Sequence, residues 1–104
     1  MSDLTLIIPA KNEKESLPKV LDELVKYNLK KNIILEASDK TTIEAIKTYD
    51  CRIIFQDSKG YGDALKKGIE TVETKFFCIF NRLINIIFSS IFIRFNSWIH
   101  FNIL

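Results

Sequence analysis

The sequence predicts an α/β fold built on a parallel sheet, and three observations carry that prediction. Four short apolar runs, at residues 4–9, 33–36, 52–55 and 76–80, are long enough for strands and too short for helices. Stretches of helical spacing or helix-start signals separate them. The connections are short, with no internal repeat and no Pro/Ser-rich linker, so the order reads β-α-β-α-β-α-β with helices on the sheet's faces. A chain of 104 residues is at most one small domain. At this size folding buries roughly two-thirds of the unfolded surface, enough for a core if the elements complete one another.

Residues 4–9 (LTLIIP) are continuously apolar, as suits a strand covered on both faces. A polar loop, Ala10, Lys11, Asn12 and Glu13, follows it. Leu17, Val20, Leu21, Leu24 and Val25 then recur at helical spacing and make one apolar stripe. Pro18 fits only the first turn of that helix, where its missing N–H costs no bond. Residues 33–36 (IILE) are the second strand. Thr41-Thr42-Ile43-Glu44 fits a capping box, with Thr41 as cap and Glu44 reaching back, so the second helix starts there and ends near Tyr49. Arg52–Phe55 is the third strand. All three glycines, Gly60, Gly62 and Gly68, lie at the start of the third helix or within it, and that helix runs to about Val72. Residues 76–80 (FFCIF) are the fourth strand.

Charge divides the chain. Every side-chain carboxylate lies at or before Glu73, and over residues 1–75 the 13 acidic residues balance 13 basic ones. The last 29 residues add only Arg82 and Arg94 and hold seven of the eight phenylalanines. Any chemistry that needs a carboxylate must find it in the first three-quarters. A net charge of +2, with no basic run interleaved with aromatics, excludes a nucleic-acid surface. Cys51 and Cys78 sit in apolar runs and read as buried thiols of a reducing compartment. Residues 1–4 lack the basic start and long apolar stretch of a signal peptide, so a cytoplasmic location is expected.

In parallel α/β sheets, ligands bind beyond the carboxyl ends of the strands. That rule selects the loops at residues 10–13, 36–39 and 56–63, which are also the polar-rich segments. In the third, glycines let backbone N–H groups approach oxygens, the helix start favours an anion, and Lys59 supplies a point charge. It is neither a Walker loop nor a dinucleotide fingerprint, since position 65 is Leu and the loop follows the third strand. Alone it reads first as an ordinary turn opening a helix, and Gly68 as a site of close helix–sheet packing. Asn12 and Glu13 read as caps of the first helix or as ligand contacts. Glu36 is a solvated strand end or an acceptor for a ribose or base. Asp39 reads as loop or cap. His100, the only histidine, has no acid near it in sequence.

Together these residues resemble the nucleotide-binding half of family 2 glycosyltransferases, the inverting GT-A enzymes, and most of all the dolichyl- or undecaprenyl-phosphate sugar transferases. Three stretches carry the resemblance: residues 6–13 (LIIPAKNE), the region of Glu36, and residues 59–69 (KGYGDALKKGI). It covers residues 4–81 and implies a Rossmann-like GT-A half. It further implies that Pro9, Ala10, Asn12, Glu13, Glu36, Lys59, Gly60, Gly62 and Asp63 line a pocket for a UDP- or GDP-type nucleotide-diphosphate-sugar. Lys11 stands where the family commonly has Tyr, and Glu36-Ala37-Ser38 where it has Asp-Asp-Gly. The family also carries an acidic D-x-D type motif after the fourth strand, holding Mg²⁺ or Mn²⁺ on the diphosphate. This chain continues with Arg82-Leu83-Ile84-Asn85 instead. Hard divalent cations want carboxylate oxygens, so no metal site and no catalytic residue is assigned, and only weak nucleotide binding by an incomplete, inactive domain is expected.

Residues 82–104 are set apart from the domain at 1–81. They are rich in Ile, Phe, Asn and Ser and hold no acid, Gly, Pro or Lys. Such a bias fits an AT-rich gene read out of frame after a frameshift. The competing expectation is a real apolar segment, a membrane-surface helix or aggregation-prone stretch giving peripheral membrane contact, rather than a span interrupted by Asn85, Arg94, Asn96 and His100.

Overall fold

Alternation along the first strand sets the layers. In the computed structural model, which describes residues 3–81, 86–95 and 98–103 and side chains as far as residue 80, β1 (Leu4–Pro9) is the central parallel strand. Successive strand side chains point to opposite faces. Leu6 and Ile8 therefore join one core with Leu17 and Leu21 of α1 (Ser16–Leu24), Ile33 and Leu35 of β2 (Lys30–Leu35) and Ile46 of α2 (Lys40–Ile46). Ile7 goes to the other face. There it packs with Ile34, with Ile54 of β3 (Arg52–Phe55), with Ala64 of α3 (Tyr61–Glu70) and with Phe77 of β4 (Phe76–Asn81). Ile7, Ile8, Ile33 and Ile34 are fully buried, as a strand covered on both sides requires.

The parallel part of the sheet has the order β3-β2-β1-β4. Two crossovers through α1 and α2 run one way across the sheet, and the third, through α3, returns past β1. Right-handed crossovers then require α3 on the opposite face, and the two cores lie accordingly. A Rossmann-like α/β fold is thus present, and the strand order reverses between β1 and β4. A buried hydroxyl pair fixes β4 against β1. Thr74 Oγ1 gives its proton to the Phe76 carbonyl at 2.8 Å, so Thr5 is the donor in the 2.5 Å contact between the two hydroxyls.

Beyond β4 the sheet continues antiparallel, through β5 (Ile86–Phe95) and β6 (Trp98–Ile103). Residues 86–95 and 98–103 thus form strands, not the surface helix that is one competing expectation for the tail. Its Phe/Ile-rich composition suits a pleated surface, and Phe76 to Cys78 offers Ile93 to Ile91 a ladder. Residues 82–85, where the family's acidic motif is expected, lie outside the described residues, as does Asn96. His100 stands opposite Ile93 in the β5–β6 register. Among the described residues, no helix is long and apolar enough to cross a membrane.

Three local readings change. β2 begins at Lys30 rather than residue 33, because Lys31 and Asn32 pair in the ladder with Leu6 and Ile7 despite their polarity. The N-cap of α2 is Asp39 rather than Thr41, and Glu44 pairs with Lys47 at 2.6 Å instead of reaching back. Cys51 and Cys78 form no disulfide and are only half-buried, and burial raises both thiols above their ordinary range.

Candidate functional site

The first residues after the first three strands lie together at one edge of the sheet. Ala10 donates its N–H to the Ile34 carbonyl at 2.9 Å, and Gln56 donates its own to Leu35 at 2.9 Å. These bonds carry the ladder one step past the strand ends, setting Gln56 beside Glu36 and Ala10 beside Leu35, one residue short of them. Two adjoining hollows open there. One, of about 230 Å³, is lined by Pro9, Glu13, Glu36, Gln56, Gly60 and Tyr61, among others. The other, of about 390 Å³, is lined by Lys11, Asn12, Glu36, Asp39, Lys40 and Lys59 among its walls. Ala10, Lys11 and Glu36 belong to both.

The first loop is held from outside rather than by capping α1. Asn12 has φ 53°, a left-handed conformation that Asn tolerates better than most residues. Its N–H donates to Asp39 Oδ2 at 2.8 Å, and the Glu13 N–H donates to the buried Thr42 hydroxyl at 3.1 Å. The cap of α1 is Glu15, with no side-chain capping bond. So Asn12 and Glu13 are fastened to the start of α2, and the loop edges the hollows. Burial pushes the Asp39 carboxyl up, but the bonds from Asn12, Thr42 and Thr41 outweigh it and hold Asp39 below its ordinary 3.8.

The third loop is clasped from both sides. Gln56 Nε2 donates to the Ser58 carbonyl at 2.9 Å and to the Gly60 carbonyl at 3.0 Å. Asp63 Oδ2 accepts the Ser58 N–H at 3.1 Å, a bond that with its neighbours lowers the Asp63 pKa. Asp57 pairs with Lys67 at 3.2 Å. Gly60 at φ 108° and ψ 156° occupies a region essentially confined to glycine. Gly62 differs: a Cβ there would meet nothing within 4 Å. The chain's own packing gives no reason for a glycine at that position.

Of the residues expected to line a pocket, Pro9, Ala10, Asn12, Glu13, Glu36, Lys59 and Gly60 converge on the two hollows. Gly62 and Asp63 line neither hollow; Gly62 is exposed, and the Asp63 carboxylate is turned onto its own loop. Gln56 and Tyr61 were not singled out by sequence reasoning, yet both line the smaller hollow. The available signal was position: Gln56 follows β3 as Ala10 follows β1 and Glu36 follows β2. Among the described residues, the ammonium groups of Lys11, Lys40 and Lys59 form no ion pair, and they share the larger hollow with Glu36 and Asp39.

A third hollow, of about 370 Å³, opens at the amino ends of the strands, where Arg52 and Glu73 pair at 3.1 Å. Volume does not separate the two edges. The carboxyl-edge rule and the fastened loops do.

The fold is a Rossmann-like α/β sheet whose loops gather at the carboxyl edge, with a glycine-bearing turn opening α3 and unpaired lysines near it, the edge at which such sheets bind ligands. The family can be named more closely. The family model described as Glycosyl transferase family 2 matches residues 5–82, so the chain belongs to that family. Neither curated proteins nor solved structures give a significant match.

Proposed function

We propose that residues 5–82 are the donor-binding half of a sugar transferase, holding a UDP- or GDP-type nucleotide-diphosphate-sugar across the two hollows. The observation that carries this reading is the convergence of Pro9, Ala10, Glu13, Glu36 and Gly60 on one cleft at the carboxyl edge, within the family match. The smaller hollow takes the base and ribose. Lys40 and Lys59, together with the first-turn N–H groups of α3, face the diphosphate. Transfer in the family runs to an acceptor, and a polyprenyl phosphate is the acceptor this reading favours. The protein then works on the cytoplasmic side, in peripheral contact with the membrane that holds such a lipid.

The family's divalent cation does not fit the residues present. No carboxylate follows Glu73. Among the described residues no three His, Cys, Asp or Glu converge to hold a metal ion. No step is therefore assigned through Mg²⁺ or Mn²⁺, and the chain is proposed to bind donor without turning it over. Calorimetry with UDP and GDP at millimolar concentration, beside incubation with a UDP-sugar and a GDP-sugar, tests this: heat of binding is expected in EDTA, changed little by Mn²⁺, with no sugar released from either donor. Absence of heat with either nucleotide refutes donor binding. A tenfold gain with Mn²⁺, or measurable transfer, refutes the metal-free, inactive part of the reading.

A further inference from the structure

We propose that the smaller hollow selects guanine, so that the chain holds GDP in preference to UDP; this rests on the donor-binding reading above. Gln56 is the deciding residue. Its amide nitrogen has two protons, and both go to carbonyls, those of Ser58 and Gly60. Only a donor can face two carbonyls, so the orientation of the amide is fixed and Oε1 alone remains. That oxygen accepts no hydrogen bond from a described residue. Beside it, at the end of the neighbouring strand about 4.8 Å away, stands Glu36. Its half-buried carboxylate is likewise without a side-chain partner among the described residues. Lys11 lines the same hollow and brings a cationic donor.

The polar wall therefore presents acceptors side by side and a donor next to them. Guanine's pairing edge is the complement: N1–H and the 2-amino group are adjacent donors, and O6 is an acceptor. Glu36 takes N1–H and one amino proton, Gln56 Oε1 is left for the second amino proton, and Lys11 reaches O6. Uracil has one N–H set between two carbonyls, so acceptors would face acceptors. Such mismatches leave polar groups unpaired, which is what makes a hydrogen-bonding site selective. Tyr61, 42% exposed at the wall of the hollow, offers a ring beside the base.

Calorimetric or competition titration of the full chain with GDP, IDP (which lacks the 2-amino group) and UDP, all in EDTA, tests the inference. GDP is expected to bind at least about tenfold more tightly than UDP, as one bidentate pair provides, with IDP between them. Glu36→Gln is expected to bring GDP close to UDP with the melting temperature unchanged, a bidentate acceptor having been lost. UDP equal to or better than GDP overturns guanine selection and leaves nucleotide binding standing; so does a preference that survives Glu36→Gln. If that variant does not fold, the comparison of GDP with IDP decides alone: equal affinity refutes the assignment of the amino group. No binding of any of the three overturns both readings.

Discussion

Gly68 is where helix α3 comes closest to the sheet, and replacing it by alanine tests the packing that positions the site. A Cβ at Gly68 would lie 2.6 Å from Ile7 Cγ2 and 3.2 Å from Ile34 Cγ1. Carbon atoms pack best at about 3.5–4.0 Å, so the new methyl intrudes by roughly an ångström. Ile7 is fully buried in the central strand, and a β-branched side chain has little χ1 freedom with which to withdraw. Relief therefore means lifting α3, which loosens Ala64 and Val72 from the core. Overpacking of this kind costs about 1–3 kcal/mol. The better helix propensity of alanine returns about 0.5–1 kcal/mol. A net loss of about 1–2 kcal/mol is expected, read as a lower urea midpoint at unchanged slope. Adding Ile7→Ala removes the clashing methyl, so the two losses should fall short of additivity, as for contacting sites. A Gly68→Ala protein as stable as the parent, or strictly additive losses, would refute the close approach. Because α3 carries Gly60 and Tyr61 at its start, the same lift should also weaken nucleotide binding.

Other expectations follow from the loops. Gly60→Ala should cost about 1–3 kcal/mol in chemical denaturation, because φ 108° is confined to glycine. Gly62→Ala should not destabilise, yet it should weaken nucleotide binding if a phosphate approaches the backbone there; a variant binding normally refutes that approach. Asn12→Gly should be nearly neutral, whereas Asn12→Val should cost about 1–3 kcal/mol by thermal melting, since position 12 is left-handed. For Asp39, whose folded pKa is lowered, the contribution to stability is present above the unfolded value. It is lost as pH falls through the folded value. The melting-temperature gap between the parent and Asp39→Asn should therefore be full at neutral pH and close below about pH 4, near the ordinary carboxylate value. A gap independent of pH would contradict the bonds drawn to Asn12, Thr41 and Thr42.

Much of this fold is legible in local pattern. Leu4–Pro9 and Arg52–Phe55 are bounded by polar loops, so hydropathy alone marks both ends of each strand. The start of β2 is not legible, because Lys31 and Asn32 look like loop residues and only pairing with Leu6 and Ile7 makes them strand. The capping box at Thr41 misleads for a related reason. Thr42 faces inward to take the Glu13 amide, and Asp39 answers Asn12, so long-range bonds override the local cap. In the site, the glycine-rich loop and Glu36 stand out by residue type. Gln56 does not, since its use depends on which amide atom the loop consumes. The tail shows why composition alone falls short: apolar residues without clear period fit either a helix or a strand, and the β4 ladder decides.

The most direct test of a donor site at the carboxyl edge is backbone amide NMR of the ¹⁵N-labelled chain titrated with GDP and, separately, UDP. Shift changes concentrated at Ala10, Lys11, Glu13, Glu36, Gln56 and residues 59–62 are the expected result. Changes centred instead on Lys30, Asn32 and Arg52 at the amino edge, or none at millimolar nucleotide, would contradict it.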